Sequence, residues 1–421
     1  MSQQDILSPE TVAKIQKTNP ELLSPESNGQ RKVSWDLLSP STSPSSGSST
    51  NSWASRAASE SPTAQRSLRP SSTSSVSIPT QIDSVQTYEF MGFTKDRAER
   101  LLAWQKPHHE PRDVAHDWVF LSCLDIDDAT DNWGDVMQSI GIKDQVRLPM
   151  LKPEHQKILS TQSLAGWLIE IIDTFYNFLE DLEANLLLKL SGTPCLRGGG
   201  GQELEYTVPQ MPGGHLAVFK SVDGKHIKRC IQADGTFELS LLESIACTDF
   251  THRGGLYFTH QLWVARAYSK LISDSCSVAD RRTLELHVPL SHLKEIKTWE
   301  LPYGDEWKQI IWYSRRGYLL PKPLLSHRAQ YGCIQGPIAH SHSKTIAKLS
   351  SWENVELKHV MTDEVVEDGK TQTRTAVQLV WMEPLAIHAL QDATLGKAYV
   401  RLPEQGFRLV EDPCDDLKHL E

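Results

Sequence analysis

The sequence predicts an α+β fold, on three observations. A helical apolar repeat precedes residue 190, a twofold apolar alternation follows residue 210, and a Ser/Pro-rich start is too polar to form a core. Residues 1–80 hold 22 Ser and 8 Pro against 12 Leu, Ile and Val together, with no Phe. A segment of this kind buries too little apolar surface to offset its ordering entropy, so 1–86 reads as a disordered tail. Within it the theme Leu7-Ser8-Pro9, Leu23-Ser24-Pro25 and Leu38-Ser39-Pro40 recurs, and Ser43-Pro44 and Ser61-Pro62 follow. In a flexible tail these five pairs are accessible to a proline-directed kinase, each phosphate adding about −1.5 to −2 charges, although a Ser/Pro-rich composition also produces such pairs by chance.

Ordered structure is expected from Thr87. Ala98, Leu101, Leu102 and Trp104 fall near helical spacing, and from Gln162 to Leu190 the residues Leu164, Trp167, Leu168, Ile171, Ile172 and Phe175 begin a long i, i+3, i+4 series. Acidic residues such as Glu170, Asp173 and Glu180 interrupt that series, which marks a packed helix rather than one in lipid. Residues 87–197 thus read as a helical domain, and the Gly198–Gly201 run opens a linker over 198–212.

Beyond it, the apolar stretches 215–219, 255–259, 284–288 and 377–381 are strand candidates. Leu262–Ile272 and Glu306–Trp312 are helical pieces, with Asp223-Gly224, Asp234-Gly235 and Gly254-Gly255 as turns. The expected domain covers 213–392, leaving 393–421 as a C-terminal extension.

Forty-three basic and 53 acidic side chains give a net charge of −10, which argues against nucleic acid as a partner. No uncharged apolar run reaches 18 residues, and the start lacks the apolar stretch of a signal peptide, so no membrane association is expected. Seven dispersed cysteines without a CxxC pair indicate neither a disulfide framework nor a zinc knuckle. An intracellular, cytoplasmic or nuclear location follows as the expectation. The pairs His108-His109 and His340/His342 lack further ligands at metal spacing and read as surface histidines. No P-loop, GxGxxG, GxSxG or HExxH motif occurs.

The segment Asp249-Phe250-Thr251-His252-Arg253-Gly254-Gly255-Leu256-Tyr257-Phe258-Thr259, followed by Trp263-Val264-Ala265-Arg266-Ala267-Tyr268, resembles the ADP-ribosyltransferase-like family. Tyr331–Ala339 and Ala376–Trp381 continue the likeness in the same order, and together the segments are similar to a bacterial and fungal branch of it. The resemblance spans about 213–392 and implies NAD as co-substrate. Cleaving the nicotinamide–ribose bond builds positive charge on the sugar, so such a site needs an aromatic face for the ring, a clamp on the amide or ribose, and a carboxylate. On this resemblance Tyr257 is the second-strand tyrosine that stacks on nicotinamide. Lys220 and Ser221 stand in place of the first-strand His-Gly, with His215 or His226 as substitutes under another register. Thr259 completes the cofactor-binding set.

Gln378 takes the terminal-strand position, where a family member that transfers ADP-ribose carries glutamate. An amide accepts a hydrogen bond but offers no charge to an oxocarbenium-like state. Glu306, in Asp305-Glu306-Trp307, is the other candidate carboxylate, although the same residues suit a helix N-terminus by charge alone. Two functions therefore follow from the resemblance. One is weak NAD-dependent mono-ADP-ribosyl transfer or NAD cleavage. The other is a catalytically degenerate member that binds a protein partner or a nucleotide, with helix Gln162–Leu190 of the helical domain as the interaction element, or that serves as a pathway-accessory protein.

Overall fold

The computed structural model describes residues 4–18, 20–38, 75–105, 109–127, 131–190, 210–232, 237–244, 249–251, 254–341, 343–367 and 370–401. The chain forms two compact units. One comprises Met1–Gln86 with Leu179–Cys195, the other Thr87–Phe178 with Leu196–Glu421.

In the first unit the expected disordered tail is corrected for residues 4–18, 20–38 and 75–86, while 39–74 lie outside the described residues. Helix α1 (Pro9–Thr18) and the antiparallel pair β1 (Gln30–Ser34) and β2 (Ser75–Pro79) are built from it. Averaging over 80 residues concealed where its few apolar side chains fall: Ile6, Leu7, Ile15, Leu23, Val33, Leu37 and Ile78 are all buried. A partner distant in sequence completes the unit, because Glu183 on helix α2 (Leu164–Leu190) accepts hydrogen bonds from Ser8 N–H and Thr11 Oγ1. The pairs Ser39-Pro40, Ser43-Pro44 and Ser61-Pro62 lie outside the described residues, as do Asp234-Gly235 and the glycine run.

The second unit corrects the expected division between a helical domain at 87–197 and a sheet domain at 213–392. Residues from both are joined in one body: Trp167 packs on Tyr268 with ring centroids 5.9 Å apart, His155 Nε2 lies 3.0 Å from Asp274 Oδ2, and Arg281 donates to Glu170 at 2.9 Å. Helix α3 (Leu262–Ser275) carries Tyr268 and Asp274.

Strands β3 (His215–Asp223) and β5 (Arg281–Pro289) pair antiparallel from His215↔Pro289 to Asp223↔Arg281. β4 (Leu256–Phe258) lies in a second sheet. β6 (Thr298–Glu300) pairs parallel with β7 (Cys333–Pro337), and β8 (Thr362–Glu367) forms a separate hairpin with β9 (Lys370–Thr375). β10 (Val377–Trp381) and β11 (Ala398–Arg401) complete the set, giving sheet orders β11-β5-β3 and β4-β10-β7-β6. A bridge between Phe219 and Thr259 joins the two sheets at β3 and β4. The extension expected at 393–421 is corrected as far as Arg401, since β11 is an edge strand of the first sheet and its Val400 is buried in the core.

Side-chain alternation distributes these strands between two cores. Leu216, Val218, Leu284 and Leu286 share one core with Leu256, Phe258, Leu379 and Trp381. The opposite face of the second sheet sets Val380 and Ile334 against Trp307, Ile310 and Ile311 of helix α4 (Asp305–Arg315). Among the described residues no helix is long and apolar enough to cross a membrane. The α+β class holds.

Candidate functional site

The strands to which the resemblance assigns NAD-handling groups are consecutive: β3 bridges β4, and β4 pairs with β10. Tyr257 faces Val380 across that ladder, so Tyr257 and Gln378 lie on one face as diagonal neighbours, about 7–8 Å apart in such a pairing. Tyr257 is partly buried against the core beneath α4. Opposite Gln378 stands Gly336, where a Cβ would come within 2.6 Å of Leu301 O and 3.0 Å of the Phe250 ring. Glycine there lets β7 close over the Asp249-Phe250 loop.

Gln378 is buried, and its Nε2 donates to Asp249 Oδ2 at 2.8 Å. The same oxygen accepts from Ala339 N–H at 2.8 Å, while Oδ1 accepts from Arg315 Nε at 2.8 Å and Nη2 at 2.6 Å. Arg315 also donates to the carbonyls of Ala339 and Ser341. The loop, helix α4, strand β10 and the segment after β7 are thereby tied to one carboxylate, a charge pair that its burial makes expensive to break. Asp249 belongs to the motif read from sequence. Arg315 was missed, because a basic residue in the last turn of a helix ordinarily reads as a dipole complement.

The other candidates are also engaged by the protein. Lys220 Nζ donates to Tyr257 O at 3.3 Å, and burial pulls its pKa down to about 8 against the opposing influence of Glu170. Ser221 Oγ accepts from Arg281 Nη2 at 3.1 Å. Thr259 Oγ1 donates to Val377 O at 2.7 Å and accepts from Gln261 N–H at 3.1 Å, so it fastens β4 to the start of β10. His215 Nε2 lies 3.3 Å from Lys397 Nζ, and burial lowers the pKa of His226.

Glu306 does not join this group. Its side chain is 54% exposed at the start of α4, with Oε1 3.5 Å from His327 Nδ1 on helix α5 (Lys322–Arg328). Trp307, next in sequence, is the buried member of that turn.

Two charged clusters were not visible in the sequence. On β5 the alternation 284–288 suggests a wet face for Glu285 and His287, yet both are buried, with His287 Nε2 2.9 Å from Glu285 Oε1 and Arg401 Nε on the other carboxylate oxygen. Burial alone would raise the Glu285 pKa, but hydrogen bonds from His287 and Arg401 hold it below its usual range. Elsewhere Glu154, His155 and Asp274 bring three potential metal ligands together. Lys270 at 2.8 Å and Lys152 at 3.4 Å from Asp274 Oδ2 supply positive charge there, which makes the cluster an ion-pair network. His108 and His342 lie outside the described residues. His340 Nδ1 instead meets Ser160 Oγ at 2.5 Å, beside a cavity of about 480 Å3 that Lys157, Val360 and Thr373 help line and Tyr257 does not.

No known protein family, curated protein or solved structure matches the chain.

Proposed function

We propose that the chain is an ADP-ribosyltransferase-like protein without transfer chemistry, acting as a binding or regulatory module. The observation that carries this reading is Gln378. It stands where transfer calls for a carboxylate, and its amide is committed to Asp249 in a buried network. The remaining polar groups assigned to NAD support the same reading, because Lys220, Ser221 and Thr259 are each hydrogen-bonded within the protein. The residues therefore fit NAD poorly as a reactant: an aromatic ring is in place, and the charge that would stabilise an oxocarbenium-like sugar is not. For a protein partner, the helix Pro111–Ser122 offers exposed Phe120 and Leu121 at its end.

A second reading, weak NAD cleavage, is favoured by Tyr257 and Gln378 sharing one sheet face. Calorimetric titration of the full chain with NAD separates the two. The proposal expects no saturable heat at millimolar NAD. Saturable heat that disappears in Tyr257→Ala and is accompanied by nicotinamide release supports the NAD-cleaving alternative.

A further inference from the structure

Two copies of the Leu-Ser-Pro theme fall within the described residues, and the charged side chain nearest each serine differs, Glu183 at Ser8 and Arg31 at Ser24. Ser8 caps α1: its Oγ accepts from Thr11 N–H at 3.2 Å, and Pro9 is the first helical residue. Its own N–H donates to Glu183 Oε1 at 2.9 Å, and Thr11 Oγ1 donates to the same oxygen at 2.6 Å. These bonds hold the Glu183 pKa down despite its partial burial, so a negative charge faces the Ser8 backbone. Ser24 differs. Its Oγ accepts from the Lys32 backbone N–H at 2.8 Å and its carbonyl from Arg31 Nη1 at 3.3 Å, which places one guanidinium beside it, itself 3.5 Å from Glu26.

Along α1 runs a cavity of about 270 Å3 lined by Leu7, Pro9, Val12 and Ala13 with Arg31 and Ile78.

We propose that Ser8 is a phosphorylation site whose modification releases α1 from Glu183. Ser8 is half-buried while Pro9 and Glu10 are exposed, so the Ser-Pro pair is within reach of a proline-directed protein kinase. The hydroxyl oxygen attacks the γ-phosphorus of a nucleoside triphosphate. Its bond to the bridging oxygen breaks, the nucleoside diphosphate leaves, and the serine proton passes to the kinase's base. The product places about −1.5 to −2 charges beside the Glu183 carboxylate and removes the hydroxyl proton that Ser8 Oγ donates to Thr11 Oγ1 at 3.0 Å, and this repulsion outweighs the attraction of the phosphate to the helix N-terminus. At Ser24 the same group meets the Arg31 guanidinium and leaves β1 in place.

The test is to treat the full chain with a proline-directed kinase and magnesium ATP, map the phosphates by mass spectrometry, and follow amide hydrogen exchange in Val12–Thr18. The expected result is phosphate on Ser8 and at least about tenfold faster exchange in α1. In Glu183→Gln, which keeps the hydrogen-bond acceptor and removes the charge, phosphorylation should accelerate exchange much less. Ser8→Ala, which loses the cap without gaining charge, should have a smaller effect than the phosphate. Phosphate on the other Ser-Pro sites but never on Ser8 overturns the site. Unchanged exchange after Ser8 modification, or equal acceleration in Glu183→Gln, overturns the release.

Discussion

Asp249 accepts four hydrogen bonds, two from Arg315 and one each from Ala339 and Gln378, so removing its carboxylate strands a buried guanidinium. Asp249→Ala should cost about 3–5 kcal/mol in urea denaturation. Glu306→Gln, at an exposed position, should stay within about 0.5 kcal/mol of wild type. Lys220 acts in the opposite sense. Its folded pKa of about 8 lies below the ordinary value of about 10.4, so below pH 8 the folded state carries a buried charge at full cost. As pH rises from about 8 to about 10.4, the unfolded chain holds more protons than the folded one, and this group's contribution becomes more favourable. Lys220→Met should therefore stabilise the protein at pH 7 by about 1–2 kcal/mol, allowing for the lost bond to Tyr257 O, and should flatten that alkaline rise. Individual side chains in this region were legible as types. Their bonding was not, because Arg315 and Asp249 are 66 residues apart.

At the scale of elements, strongly periodic segments were readable and pairings were not. The long helix spans Leu164–Leu190, within two residues of the stretch its apolar spacing marks out, and β3, β4, β5 and β10 lie on the four expected stretches. Asp223-Gly224 read as a turn. Asp223 instead caps the helix Gly224–Cys230, accepting from Lys225 N–H at 2.9 Å, a role a short polar side chain serves as readily. β11 was missed because four residues, Ala398–Arg401, carry too little periodicity to stand out. Its importance comes from the neighbour it covers. Ending the chain at Gly396 should destabilise the second unit by about 3–5 kcal/mol, since Glu285 loses Arg401 and the core loses Val400. Chemical denaturation monitored by tryptophan fluorescence checks this.

At the scale of the whole molecule, composition identified the class and misplaced the boundaries. A polar, Ser-rich start suggested disorder, yet residues 4–38 contribute a helix and a strand to a unit completed by Leu179–Cys195. A glycine run suggested a joint between domains, yet Trp167, His155 and Glu170 from before it pack or pair with residues after it. Both corrections have one cause: the stabilising contacts are distant in sequence, and local composition does not register them.

Nicotinamide release from NAD by the purified full chain decides whether Gln378 and Tyr257 leave the proposed module without transfer chemistry. The expected result is no release above the uncatalysed background. Release by wild type that is lost in Tyr257→Ala would contradict it and make this strand cluster a working transferase or glycohydrolase site.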